Sequence, residues 1–368
     1  MGILADTAGA EALRIAYVFH CLMSTESGVS KKIGTQLRAW RSLGHHVHAF
    51  QYSRDNAKSH EHEFGNDLPW KEFPYRAGYF RRVMDWRVLT DEVASWRPDI
   101  IYFRYDVFAP SLYALFRKRA VVFEINTDDS VEYSMGSRVR GIYNRFTRNQ
   151  MLKTASGLVF VSNAVANRPA FQIDLPFRVI GNSVDISSIP DWNSGRGNGK
   201  EAIMIGSKEC TWQGIDKLSV LAERMPDWKF HVVGCDGEGT GNLKYHGFLP
   251  RSEYEKIIFR CSVGIGSLAL HRYGVDENST LKTGEYLAYG LPVVLGYQET
   301  DFVGEYDYVC RIPNVEKNVI NSFGQIREFM NQWVGRRVDR SAVAHLDVSV
   351  KEIQRVEFLQ SIVKGSLS

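Results

Sequence analysis

Short runs of branched and aromatic residues alternate with stretches of helical period along this chain, and the alternation comes in two blocks. Strands separated by helices imply a parallel sheet, because parallel neighbours need long crossovers that cover both sheet faces. The first block opens with the strand run "LRIAYVF" (13–19) and the loop "HCLMSTESG". A helix follows from about Val29 to Leu43. Its Ile33, Leu37, Trp40 and Leu43 recur at three- and four-residue steps, the period of one buried face. Gly44 stands where a left-handed C-terminal cap is wanted, and "HVHAF" resumes as a strand. "DIIYFRY" (99–105), "AVVFEI" (120–125) and "GLVFVS" (157–162) read as further strands. Helices are expected over "PSLYALFRK" and 138–154, and "FRVIGNSVD" (177–185) closes the block.

Periodicity lapses over residues 186–200, "ISSIPDWNSGRGNGK", where Gly, Ser, Asn and Pro dominate, so the interdomain linker is placed there. The second block begins at "EAIMIG" (201–206). It continues through helix 214–224, strand "KFHVVG", helix 251–260, strand "SVGIGSL", helix 279–289 and strand "PVVLGY". The expectation is an α/β chain of two Rossmann-like, doubly wound domains, 1–185 and 201–345, facing a central cleft. A terminal helix within 346–368 is expected to cross back to the first domain. In such sheets ligands sit beyond the carboxyl ends of the strands.

Composition narrows the class. No apolar run approaches the ~18 residues that span a bilayer. The start "MGILADTAGAEA" lacks a basic region and carries two acids, unlike a signal peptide. Cys21, Cys210, Cys235, Cys261 and Cys310 are scattered, with no metal-ligand spacing, and read as reduced thiols of a cytoplasmic protein. Net charge is +3, but residues 1–183 carry +6 and 184–368 carry −3. Arg138, Arg140, Arg145, Arg148 and Lys153 lie in one stretch without an acid. That stretch reads either as a solvated helix face or as a surface for anionic lipid or a phosphorylated acceptor. No nucleic-acid recognition motif is present. The chain has no phosphate-binding Gly-x-x-x-x-Gly-Lys loop, and "STESGVS" has one glycine where a dinucleotide fingerprint needs three.

The densest chemistry lies in "GVDENSTLKTGEYLAYGLPVVLG" (274–296). Asn278 or Ser279 can cap a helix that Gly290 and Pro292 end. Glu277 stands before it and Glu285 inside it. Eight helical residues rise about 12 Å. Carboxylates accept hydroxyl hydrogens and make poor phosphate partners, whereas a helix N-terminus suits a diphosphate. Two acids bracketing such a tip therefore match a sugar, a diphosphate and a ribose in line.

This segment resembles the E-x7-E motif of family-4 glycosyltransferases, retaining enzymes of the GT-B fold. Other pieces are similar in the same order: "GVSKKIGTQLRAWRSLGHHVHAF", "VSNAVANR", "IGNSVD" and "IGSKECTWQGIDKL", together spanning roughly 13–300. The resemblance implies transfer of a sugar from a nucleotide-diphosphate donor to a hydroxyl acceptor, which could be a lipid-linked glycan in bacterial surface polysaccharide or glycolipid assembly. It makes 1–185 the acceptor side and 201–345 the donor-binding domain. Glu277 would contact the donor sugar and Glu285 the ribose. The diphosphate would lie against Asn278 and the amides of Ser279, Thr280 and Leu281, with Gly28 allowing close approach and Ser207 and Lys208 on its second side. His20 and Asn126 fall on the acceptor side. Neither metal nor other cofactor is expected, because helix dipole and lysines meet the charge. Peripheral contact with the inner face of an anionic membrane would run through 138–153.

Three departures from the family pattern stand out. Gln213 occupies the place of a lysine, with Lys208 or Lys282 as alternative sources of charge. Asn126 stands where a histidine is common, and Ser183 replaces a glycine. Asp128–Asp129 and Asp236-x-Glu238 read as loops rather than metal sites. Two alternatives stay open: a partner protein that binds a sugar nucleotide without turnover, and a sugar-nucleotide epimerase.

Overall fold

The computed structural model describes residues 11–23, 27–54, 68–76, 78–129, 138–190, 199–207 and 210–367. The chain divides into two units: Met1–Phe160, Val165–Ile180 and Glu352–Ser368 form the first, and Val161–Ala164 with Gly181–Lys351 the second.

The first unit is built on seven parallel strands, ordered β3-β2-β1-β4-β5-β6-β7. They are β1 (Arg14–His20), β2 (His46–Arg54), β3 (Trp70–Tyr75), β4 (Ile100–Arg104), β5 (Val121–Ile125), β6 (Gly157–Phe160) and β7 (Phe177–Val179). Central β1 pairs with β2 from Arg14↔His46 to His20↔Tyr52 and with β4 on its other side. Successive side chains point to opposite faces. Ala16 and Val18 join one core with Phe50, Trp86 and Phe103. Ile15, Tyr17 and Phe19 join the other with Ile33, Leu37 and Trp40 of helix α1 (Gly28–Ser42). That second face is completed by Val356, Leu359 and Ile362 of the C-terminal helix. Gly157 permits the contact, since a Cβ there would lie 2.9 Å from Ile362 and Phe358. The remaining helices of this unit are α2 (Tyr79–Met84), α3 (Arg87–Trp96), α4 (Pro110–Phe116) and α5 (Arg138–Leu152). Strand order reverses between β1 and β4. His20, Asp106 and Asn126, at or just past the ends of β1, β4 and β5, therefore share the sheet edge where such folds place ligands.

The second unit has six parallel strands in the order β10-β9-β8-β11-β13-β15. These are β8 (Glu201–Ile205), β9 (Lys229–Val233), β10 (Leu243–Tyr245), β11 (Val263–Ile265), β13 (Val293–Leu295) and β15 (Val309–Arg311). A two-stranded pair, β12 (Glu277–Asn278) with β14 (Gln298–Glu299), lies apart. Chain Asn163–Ala166 forms the short α6. Helices α7 (Asp216–Arg224), α8 (Arg251–Arg260), α9 (Leu281–Ala288), α10 (Asn318–Asn321) and α11 (Phe323–Gln332) follow, and α12 (Val348–Leu367) begins in this unit but belongs to the first from Glu352 onward. The ring of Tyr286 in α9 lies directly on Gly264 of β11, where a Cβ would come within 2.5 Å. At the exit of β9, Gly234 has φ +100° and its missing Cβ would sit 2.2 Å from the Gly206 carbonyl, so only glycine fits.

The linker expected at 186–200 is placed differently. Ile189 is buried in the second core, and Val184 bridges Asp347 within the second unit. Residues 181–190 thus group with that unit, while 191–198 lie outside the described residues. Among the described residues no helix is long and apolar enough to cross a membrane. None of the five cysteines is in a disulfide.

Candidate functional site

Helix α9 of the second unit organises the E-x7-E segment, but the helix starts later than the spacing suggested. Thr280 is its N-cap, with extended φ −99° and ψ 134°, and Glu277–Asn278 is strand β12. A strand rises about 3.3 Å per residue against 1.5 Å in a helix. The chain between Glu277 and Glu285 is therefore longer than the 12 Å expected of continuous helix.

Each acid has a defined partner. Glu277 Oε1 accepts from the backbone N–H (2.9 Å) and the side-chain amide (3.0 Å) of Asn163, which belongs to the same unit. Glu285 Oε1 accepts from the hydroxyl of buried Tyr254 on α8 (2.7 Å), and the two acids, Glu277 and Glu285, remain partly open to solvent. Asn182 clamps the tip of the segment: its backbone N–H donates to Ser279 Oγ (2.8 Å) and its side chain to the Ser279 carbonyl (2.6 Å).

The amides expected to face a diphosphate are only partly open. The Ser279 N–H donates to Asn278 Oδ1 (2.9 Å), and the Thr280 N–H points at Glu299 Oε2 (3.4 Å). Asn278 is thus a partner of the helix tip, and Leu281 is the first residue of the helix. Pairing of β14 with β12 carries Glu299 under the first turn of α9. There its carboxyl also accepts from Tyr297 OH (2.8 Å). Burial pushes the Glu299 carboxyl up to about 8. A buried acid that stays protonated at neutral pH is compatible with a helix N-terminus without adding an anion there.

The loop leaving β8 closes the other side of α9. Tyr286 OH accepts from the Ile205 N–H (2.6 Å), and Lys282 Nζ donates to the Ile205 carbonyl (3.1 Å). Burial pushes the Lys282 ammonium down to about 7. Gln213 does not stand in for a phosphate-binding cation. Its side-chain carbonyl accepts from the Ser207 N–H (2.7 Å) and so staples the loop across Gly206. Lys208 lies outside the described residues. The structure therefore brings together Glu277, Asn278, Ser279, Thr280, Leu281 and Glu285 around α9, and Ser207 with Gln213 beside Lys282.

Three expected residues belong to the first unit and are described there. Gly28 is the first residue of α1 rather than a loop residue; Ser27 caps the helix, accepting from the Ser30 N–H. His20 is engaged on both ring nitrogens, Nδ1 with Asp106 (2.9 Å) and Nε2 with Tyr75 OH (3.0 Å). Burial alone would raise the Asp106 carboxyl, but Arg82 and His20 overcome it and hold it well below the usual range. Asn126 Oδ1 accepts from Lys32 Nζ (3.1 Å), and the same ammonium pairs with Glu124 (2.8 Å). Glu124 also accepts from Tyr17 OH (3.0 Å) and lies 3.4 Å from Arg104.

Of the acidic pairs weighed for metal, Asp129 is bound by Arg148 and Asn144, and Asp128 lies 3.7 Å from Arg168. Elsewhere, Glu201, His231 and Cys261 bring ligand-type atoms within 4.8 Å at the amino-terminal edge of the second sheet. Both nitrogens of His231 are already taken, by Glu201 and His246 at 2.9 Å each.

Comparison with known proteins adds family and fold. Residues 27–188 match the family model Glycosyltransferase Family 4. No curated protein sequence matches the chain. Among solved structures, Anabaena HepE in complex with UDP and glucose is 16% identical, covering 95% of this chain and 100% of its own, with a TM-score of 0.65. A glycosyltransferase from Rickettsia africae is 14% identical over 96% of this chain and 99% of its own, with a TM-score of 0.64. The lipopolysaccharide outer core galactosyltransferase WaaB is 12% identical over 95% and 100%, with a TM-score of 0.60. Likeness at such identity establishes the fold.

Proposed function

We propose that this chain, a GT-B glycosyltransferase carrying a family-4 segment, moves a sugar from a nucleotide diphosphate to a hydroxyl acceptor with retention of configuration. The observation that carries the reading is the gathering of two hydroxyl-accepting carboxylates and one half-buried lysine around the start of α9. Glu277 takes the donor sugar's hydroxyls and Glu285 those of the ribose. Lys282 and the first turn of α9 meet the diphosphate charge, so no divalent metal is required. Nothing in the segment offers a second carboxylate as nucleophile. The leaving phosphate itself takes the proton of the incoming hydroxyl on the same face, and stabilising its developing charge is the main catalytic contribution. The UDP and glucose bound by HepE support a uridine diphosphate sugar as donor. The lipopolysaccharide named for WaaB supports a setting in surface glycan assembly, and the proposal places a lipid-linked acceptor there, on the cytoplasmic side of a membrane.

The test is a panel of nucleotide sugars screened by thermal shift, followed by donor hydrolysis. A matching donor raises the melting temperature. Glu277→Ala then lowers turnover by about 100-fold or more, the scale of losing one transition-state contact, while melting stays near wild type. Stabilisation by no nucleotide sugar, or near-normal turnover in the variant, refutes the assignment. Gln213 keeps a second reading in view, since its side chain is spent on the Ser207 amide: a chain that binds the donor without turnover would show the shift and no released nucleotide.

A further inference from the structure

We infer that α2, the start of α3 and α5 of the first unit form one surface that docks onto an anionic lipid bilayer. The inference extends the membrane-side acceptor reading above, but its observations are independent of donor chemistry. Helix α5 buries Asn144, Arg148, Met151 and Leu152. At about 100° per residue, these span about a quarter of its circumference. Val139, Ile142 and Phe146 lie on the opposite side, within about 60° of one another. A surface helix ordinarily presents polar residues there, whereas this one presents large apolar groups, with Phe146 74% exposed. Phe80, Met84 and Val88 repeat the pattern along α2 and α3 at four-residue steps, with Phe80 72% exposed.

The two stripes belong to neighbouring helices. Tyr79 of α2 packs edge-on against Tyr143 of α5 (centroids 5.9 Å apart), and the Arg140 guanidinium lies 5.2 Å over the Tyr79 ring. A contiguous apolar patch of this kind marks an interaction site.

Charge selects the occupant. Arg138 and Arg145 of α5 are exposed beside the stripe, and 138–153 contains no acid. Arg148 is excluded from this surface because Asp129 binds it in the interior. On the α2–α3 side Arg81 and Arg87 stand 3.7 Å and 3.8 Å from Asp85 and Asp91, so the uncompensated positive charge is concentrated on α5. Apolar side chains flanked by arginines fit acyl chains beneath anionic headgroups. A second copy of the chain meeting this face across a twofold axis would set arginine against arginine.

Flotation of the purified full chain with vesicles tests this. The expected result is binding to phosphatidylcholine vesicles that contain phosphatidylglycerol and little to phosphatidylcholine alone, with release at high salt. Phe80→Ser/Phe146→Ser should weaken partitioning by about tenfold or more. Arg138→Gln/Arg145→Gln should weaken it by about 30-fold. Circular dichroism confirms that these surface variants fold, and their donor hydrolysis matches wild type. Absence of preferential binding to the anionic vesicles overturns the inference, as does wild-type binding by both variants. So does a solution dimer that Phe80→Ser/Phe146→Ser dissociates with no vesicle binding. Wild-type protein that floats with vesicles but hydrolyses no nucleotide sugar would refute the transferase reading alone.

Discussion

Lys282 gives a prediction whose magnitude follows from its burial. Its Nζ donates to the Ile205 carbonyl, and the Cys210 thiol is an ionisable neighbour that acts on it. Burial lowers the ammonium from its ordinary 10.5 to about 7. A lowered lysine in the folded state means that folding disfavours the charged form. The cost is complete below pH 7, fades as pH rises from 7 towards 10.5, and is absent above. It amounts to about 4 kcal/mol at pH 7 and about 1 kcal/mol at pH 10. Lys282→Met keeps the stem and removes the charge, at the loss of one hydrogen bond of about 1 kcal/mol. The variant should therefore unfold at higher urea than wild type at pH 7, and the advantage should vanish by pH 10. A diphosphate placed beside this lysine would restore its proton. Calorimetry with uridine diphosphate in buffers of different ionisation enthalpy should show uptake approaching one proton at pH 8 to 9 and none at pH 6. Affinity should fall by up to about tenfold per pH unit above 7. Equal destabilisation of Lys282→Met at pH 7 and pH 10, together with binding that takes up no proton, would refute the reasoning.

Three further outcomes are expected. Glu124→Gln leaves Lys32 and Arg104 buried without their counter-charge and should destabilise the first unit by about 3–5 kcal/mol; a loss under about 1 kcal/mol in urea titration would show that the cluster is not so tightly coupled. Gln213→Lys matches the family pattern but cannot accept from the Ser207 amide, so nucleotide binding should weaken despite the added charge, whereas Gln213→Glu should retain it; tighter binding by the lysine variant in calorimetry would contradict the staple. Turnover should survive an excess of chelator, and its abolition by EDTA with rescue by Mg²⁺ or Mn²⁺ would overturn the metal-free proposal.

The elements that could be read from sequence were those whose pattern is local. The α1 face of Ile33, Leu37 and Trp40 and the continuous apolar runs of β4, β5 and β6 carry their own period, and the structure places them within one or two residues of expectation. Strand β3, "WKEFPY", went unread because the adjacent Lys71 and Glu72 break the alternation and it contains a proline, which an edge strand tolerates. Helices α2 and α3 were obscured by apolar residues on both faces, and that excess is the same feature that leaves Phe80, Met84 and Val88 exposed. Strands β10 and β15 have three residues each, too few for a period to register, whereas β13, equally short, was read from the apolar run "PVVLGY".

The site was legible as a list of residues and not as a set of partners. Asn182 was visible in "IGNSVD", and its place in a turn carried the signal; its closure on Ser279 needs the fold to bring residues 97 positions apart together. Asn163 likewise sits in a segment noticed for resemblance, yet nothing local ties it to Glu277 across 114 residues. Glu299 had no signal. It follows a buried strand in "GYQETD", where an acid ordinarily marks a solvated turn, and only the β12–β14 pairing turns it inward. Once inside, its environment decides its chemistry. Burial favours the protonated form, and the Thr280 amide and the Tyr297 hydroxyl hold it against the helix start. An acid there that ionised at pH 7 would repel the diphosphate that the proposed function sets beside Lys282. The two titrations therefore work in one direction: around neutral pH the tip carries the lysine's partial charge and little negative charge, and raising the pH removes the first while adding the second.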